Sequence, residues 1–141
     1  MGGPREGRSF SLRWKVNSQH GLTTVALAGE LDIASVDSLQ NLADELLDET
    51  PVLVFDLQDL GFIDSTGLRL FGMIHRTAQG AGKRFLLGRI SPATRRLLHV
   101  SGLVNFFEYV EGTPSAEKLC HVCDSWTPAG ELRCMHCGAG L

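Results

Sequence analysis

The feature that most constrains the fold is the run Val52-Leu53-Val54-Phe55-Asp56-Leu57, apolar at every position but one and without alternation. A strand with one face in water alternates apolar and polar side chains. A continuous run instead marks a strand covered on both faces, as at the centre of a sheet flanked by helices. The flanking sequence agrees. Upstream, Val36, Leu39, Leu42, Ala43, Leu46 and Leu47 recur at helical spacing with acids opposite them. Thr50-Pro51 stops that helix, because proline disfavours helical geometry in the residue before it. Downstream, Leu68, Phe71, Ile74 and Ala78 make the core face of a second helix, closed by Gly80 and Gly82.

The rest of the chain supplies further elements. Phe10, Leu12, Trp14 and Val16 alternate with Ser11, Arg13, Lys15 and Asn17, the period of a half-buried strand. Leu22–Leu31 reads as a second strand, and a turn at Gly21 makes the two a hairpin. Asp32-Ile33-Ala34-Ser35 opens the first helix, and Gly61 to Leu68 turns the central strand into the second. Arg84–Leu87 is a short strand. Ser91 as N-cap and Pro92 at the first helical position start a third helix, with Leu97, Leu98 and Val100 as its apolar face and Gly102 as its end. Phe106–Val110 is a last edge strand. The order β-β-α-β-α-β-α-β predicts an α/β fold with an N-terminal hairpin and mostly parallel crossovers.

Composition narrows the class. The chain has 141 residues, 43% hydrophobic and 21% charged, enough apolar material for a core and against disorder. No stretch approaches the roughly 18 consecutive apolar residues of a membrane span. Met1 to Arg8 has no apolar run after its charges, so no secretory signal is expected and a cytoplasmic protein is. The net charge of −3 averages over a segregation. Val16 to Leu68 holds ten acids and no Lys or Arg, whereas Arg69 to Phe107 holds seven bases and no acid. The acidic helix face (Asp37, Asp44, Glu45, Asp48, Glu49) reads as a solvated surface or as a steering field for a basic partner. Arg89, Arg95 and Arg96 either solvate the third helix or pair with acids across the fold. Gly80-Ala81-Gly82-Lys83 follows a helix instead of a strand and is too short for a phosphate loop.

The turn Phe62-Ile63-Asp64-Ser65-Thr66-Gly67-Leu68 after the central strand resembles the signature of the STAS domain, the fold of bacterial anti-sigma factor antagonists. Gly29-Glu30-Leu31-Asp32 is similar to the family's other short motif, and Val100-Ser101-Gly102-Leu103 before Phe106 fits its C-terminal pattern. The resemblance covers roughly Phe10 to Val110. It implies a STAS-like mixed sheet with an N-terminal hairpin and flanking helices, and a switch instead of an enzyme. By that resemblance Ser65 is the phosphoacceptor, and Glu30, Asp32, Asp64, Ser65, Thr66, Gly67 and Arg69 form the partner-binding site. The implied partners are an anti-sigma factor that is itself a serine kinase, and a phosphatase acting on phospho-Ser65.

Read without the family, Ser65 is a helix N-cap, Asp32 an N-cap or a helix-start acid, and Gly67 allows the helix start to pack closely on the sheet. A phosphate on Ser65 would add roughly −1.5 to −2 charges beside Asp64. The N–H groups and positive dipole end of the second helix would tolerate it, while a partner docked over the turn would be repelled. Arg69, where antagonists commonly have a small residue, lies one turn on and either pairs with such a phosphate or points to solvent.

All four cysteines lie near the C-terminus as Cys120-x2-Cys123-x10-Cys134-x2-Cys137. Two thiolate pairs at this spacing present four sulfurs to one structural zinc ion, and the segment resembles a short zinc ribbon. Trp126 would be the small core of the hairpin between the two knuckles, and His121 and His136 would be bystanders. The expected organisation is therefore a STAS domain over 8–112, a linker over 113–118 and a zinc ribbon over 119–141, whose folding energy comes from the metal. Lys118 and Arg133, set against Glu117, Asp124 and Glu131, make a poor footprint for nucleic acid. Other readings are a STAS scaffold in a signalling assembly or membrane transport system, a nucleic-acid-binding ribbon protein, and a serine nucleophile at Ser65. The last lacks a motif tying His20, His75 or His99 to it.

Overall fold

A computed structural model of the chain describes residues 5–110, 117–120, 122, 123, 125–128, 133, 134 and 137–140. Six strands form one mixed sheet in sequential order: β1 (Arg5–Ser9), β2 (Leu12–Gln19), β3 (Leu22–Leu31), β4 (Val52–Ile63), β5 (Arg84–Gly88) and β6 (Glu108–Val110). β1 pairs with β2 and β2 with β3 in antiparallel fashion, and β3 to β6 are parallel. The parallel strands are joined through α1 (Val36–Glu49), α2 (Ser65–Gly80) and α3 (Pro92–Val100). A two-stranded antiparallel sheet, β7 (Glu117–Leu119) with β8 (Trp126–Pro128), follows.

The uninterrupted run at Val52–Leu57 is the middle of the sheet, as its composition requires. Leu53, Phe55 and Leu57 point into the core, where Phe55 meets Phe71 of α2 and Phe85 of β5 edge-on at centroid distances of 5.6 and 4.9 Å. Val54 and Asp56 lie on the opposite face and are also buried. The charged residue in that run is matched: Nε of Arg89 donates to both carboxylate oxygens of Asp56 at 3.1 Å. The pair joins the acidic half of the chain to the basic half. α1 buries Leu39, Leu42, Ala43, Leu46 and Leu47 and leaves Asp37, Asp44, Glu45, Asp48 and Glu49 in solvent.

Several boundaries and faces differ from the expectation. β1 is an additional strand beginning at Arg5, and it pairs with β2 through a two-residue turn at Phe10-Ser11. Phe10 is therefore 74% exposed instead of buried, while Leu12 and Val16 keep the expected inward direction. α2 buries Leu70 and His75 besides the expected residues, so its covered face is wider than one stripe. α3 buries only Thr94 and Leu98, one turn apart. Val100, two residues further round the helix, is 80% exposed. The last strand starts at Glu108: Phe107 is buried and Phe106 stays partly exposed, both rings packing edge-on against His75 at 5.9 and 4.9 Å.

Candidate functional site

Parallel strands β3 and β4 end together. Glu30 pairs with Phe62 and Leu31 with Ile63, and the Asp64 N–H donates to the Leu31 carbonyl at 3.4 Å. This register brings Glu30 and Asp32 beside Asp64, Ser65, Thr66 and Gly67, so the two short motifs become one surface at one end of the sheet. Arg69 is exposed one turn along α2. The β1–β2 turn closes the third side, with the Glu30 N–H donating to the Ser11 carbonyl at 3.2 Å. Gly29 permits that approach: its φ is +93°, and a β-carbon there would stand 2.0 Å from the Ser11 oxygen.

The residue that caps α2 is Asp64, not Ser65. Its Oδ1 accepts the N–H of Thr66 at 3.0 Å, the N–H of Gly67 at 3.1 Å and the Thr66 hydroxyl. Burial works against the Asp64 charge. The Thr66 hydroxyl and the N–H groups of Gly67 and Thr66 outweigh it and hold the carboxyl below its ordinary value. Ser65 is thereby left as the first helical residue, exposed, with no hydrogen bond to its hydroxyl among the described residues. Of the N–H groups in the first turn of α2, those of Thr66 and Gly67 are already taken by the Asp64 carboxylate.

Asp32 also differs from the N-cap expectation. Ser35 occupies that position, and Asp32 Oδ1 instead accepts the Ala34 N–H at 3.0 Å, shaping the loop before α1. Gly67 has the expected reason: a β-carbon there would meet Ile63 and Leu31 side-chain atoms at 2.7 and 3.0 Å.

Large apolar side chains missed as surface residues surround this site. Phe10 in the β1–β2 turn, Ile33 after Asp32 and Phe62 opposite Glu30 are 74%, 75% and 50% exposed. Of the three, Phe10 is the one that the alternation of the first strand reads as buried. The signal for Phe62 was its neighbour, since in a strand the inward Ile63 turns Phe62 outward.

The cysteines also come together. Their four sulfurs lie within 4.8 Å of one another, with Cys120···Cys137 and Cys123···Cys134 each at 3.6 Å. Four sulfurs about 2.3 Å from one zinc stand about 3.8 Å apart in a tetrahedron, so the donor set fits. Both knuckles are built alike: the Cys120 N–H donates to the Ser125 carbonyl at 2.9 Å and the Cys134 N–H to the Ala139 carbonyl at 2.8 Å. The Val122 N–H donates to the Cys120 sulfur at 3.3 Å, and Gly138 takes a φ of +80°. Hydrogen bonds from the Ser125 side chain and backbone lower the Cys123 thiol. Cys137, despite the Ala139 N–H, is pushed up to about 12 by desolvation and the neighbouring sulfurs. A metal entering the cluster must displace these protons, so its affinity falls with pH.

Trp126 does not form a separate ribbon core. It is buried against Ala26 and Ala28 of β3, with Leu119 beside it, and β8 pairs with β7 around the first knuckle. β7 starts at Glu117, inside the stretch read as linker; residues 113–116, His121 and His136 lie outside the described residues.

The fold and motifs define a STAS domain, and the comparisons agree. The STAS domain model matches residues 13–117, three residues short of Cys120. The anti-sigma-B factor antagonist of Staphylococcus aureus is 30% identical over 106 residues, covering 74% of this chain and 97% of that protein. The anti-sigma-F factor antagonist RsfB of Mycobacterium tuberculosis is 27% identical over 100 residues, 69% of this chain and 80% of that one. The crystal structure of an anti-sigma factor antagonist from Mycobacterium paratuberculosis superposes with a TM-score of 0.65 at 28% identity, over 74% of this chain and 88% of that one. This chain belongs to the STAS domain family. No helix among the described residues is long and apolar enough to cross a membrane.

Proposed function

We propose that this protein is a cytoplasmic anti-sigma factor antagonist that acts by reversible binding, not catalysis, and is gated by phosphorylation of Ser65. The observation that carries the reading is the division of labour at the turn: Asp64 caps the helix, and the neighbouring Ser65 hydroxyl is exposed and unengaged. A modifying enzyme can reach Ser65 without dismantling the fold. The exposed Phe10, Ile33 and Phe62 supply the apolar contacts, and Glu30, Asp32 and Asp64 the charge, that a docked anti-sigma factor would meet. A phosphate placed there adds roughly two negative charges to an acidic, partly desolvated contact, which favours release. An anti-sigma factor with kinase activity would add the phosphate and a phosphatase would remove it. The cysteine cluster holds one structural zinc ion, for which the matched sulfur geometry and the paired knuckles speak.

The test is binding of the anti-sigma factor to Ser65→Ala and Ser65→Asp, together with mass spectrometry after incubation with that factor and ATP. Phosphate should appear on Ser65, Ser65→Ala should bind like the native chain, and Ser65→Asp should not bind. Equal binding by both variants overturns the gating.

A further inference from the structure

We propose that the cysteine-rich tail is a metal-held cover for the outer face of the STAS sheet, so that zinc occupancy decides whether this face is closed. The inference rests on the zinc reading of the four cysteines. Among the described residues, α1, α2 and α3 all bury side chains in the one core that Leu53, Phe55 and Leu57 enter. On the other side of the sheet β3 carries Ala26 and Ala28, each 3% exposed, between the inward-pointing Val25, Leu27 and Leu31. Two alanines in a row of outward positions leave a shallow seat. Trp126, itself 6% exposed, fills it, with Leu119 packed alongside. A polar contact also crosses the seam, the Leu119 N–H donating to Oδ2 of Asp59 in β4 at 3.2 Å.

The residues that make this seam flank the first cysteine knuckle. Leu119 precedes Cys120, Trp126 follows Cys123 by three residues, and Leu119 is paired directly with Trp126 in the β7–β8 ladder. The knuckle is therefore the turn that holds Leu119 and Trp126 side by side. A two-stranded ribbon of three-residue strands is not stable alone in water, and a module this small needs a staple. Remove the metal and the ladder loses its closure, so the indole loses the geometry that fits it to the alanines. The seam also reaches the partner-binding end of the sheet: a cleft of about 380 Å³ is lined by Leu119 of the tail together with Ala28, Gly29, Glu30 and Asp59.

Linkage makes the coupling reciprocal: if zinc favours the docked tail, the docked tail favours zinc by the same factor. A substitution in the sheet, away from the sulfurs, must then weaken metal binding. The experiment uses the full chain with alanine methyl groups labelled for NMR, zinc-loaded and then treated with a chelator. In the loaded protein the Ala26 and Ala28 methyls should be displaced by the indole ring current, and chelation should move them while Ala43 and Ala78, on the buried faces of α1 and α2, stay in place. Restored zinc should restore them. Ala28→Asp should lower zinc affinity about fivefold or more with the Ala43 and Ala78 signals retained; Trp126→Ser, which leaves the sheet intact, should do the same. Methyls that ignore chelation of a metal shown to be bound overturn the cover, as do unchanged affinities in both variants. Movement of Ala43 and Ala78 along with Ala26 and Ala28 also overturns it, since the whole domain then responds. Absence of bound metal in the native chain overturns the zinc reading instead.

Discussion

A β-carbon on Gly67 would stand 2.7 Å from Cγ1 of Ile63, closer than packed carbons come. The first turn of α2 therefore sits on the end of β4 with no room for a methyl group. Gly67→Ala gains about 1 kcal/mol of helix propensity but overpacks the contact, at a cost of about 1–3 kcal/mol. The net effect should be a loss of stability in denaturant unfolding. In an Ile63→Ala background, where Cγ1 is gone, the same substitution should be neutral or stabilising. Equal losses in both backgrounds would show that the close approach is not what requires glycine.

The cap assignment separates two neighbouring residues. Asp64 satisfies two N–H groups and the Thr66 hydroxyl, whereas Ser65 satisfies nothing in the described structure. Asp64→Ala should cost about 1 kcal/mol or somewhat more, and Ser65→Ala should stay within about 0.5 kcal/mol of the native chain. Thermal melts of the two variants decide it. A Ser65→Ala loss as large as that of Asp64→Ala would restore the serine to the capping role.

Two arginine–carboxylate pairs should differ sharply. Asp56 is 1% exposed beneath Arg89, while Arg84 and Glu108 are 60% and 47% exposed at 3.4 Å. Removing Arg89 leaves a buried carboxylate without its guanidinium, so Arg89→Ala should cost about 3 kcal/mol or more. Arg84→Ala should cost well under about 1 kcal/mol. Urea midpoints measured side by side at neutral pH test the contrast, and comparable losses would contradict it.

Much of this arrangement was legible in the residues, and the misses have physical causes. Val52–Leu57, Leu22–Leu31 and the faces of α1 could be read because both sides of these elements are decided by burial. The motif turn could be read because Asp, Ser, Thr and Gly each have a narrow use at a strand-to-helix junction. β1 could not, since Arg5-Glu6-Gly7-Arg8-Ser9 has no apolar period; the strand is placed by its backbone pairing with β2, with Glu6 near Lys15 and the Ser9 hydroxyl accepting from Ser38. Phe10 was then misplaced because alternation continues past the point where the chain reverses. Capping by Asp64 instead of Ser65 depends on a one-residue difference in where helical geometry begins. Sequence alone places the cap on Ser65, one residue late. The seating of Trp126 on Ala26 and Ala28 joins residues about a hundred positions apart, and nothing local announces it.

The lowered carboxyl of Asp64 gives the last prediction, and its sign is fixed by linkage. Its folded value lies below the ordinary 3.8, so the unfolded chain takes up a proton here before the folded chain does. The stability from this ionisation is fully present above the ordinary value and is lost as pH falls through the folded one. Asp64→Asn keeps an oxygen for the Thr66 and Gly67 N–H groups but cannot ionise. The stability difference between the native chain and Asp64→Asn should therefore be constant near neutrality and shrink in acid, and denaturant unfolding from about pH 7 to about pH 2 follows it. Phosphorylated Ser65 places a like charge against the same carboxylate, which disfavours its ionised form. In the phosphorylated chain the difference should be smaller at neutral pH and should begin to shrink at a higher pH than in the unmodified chain. Superimposable curves for the two forms would mean that the phosphate does not act on Asp64, and the repulsive part of the switch would then have to lie in the partner.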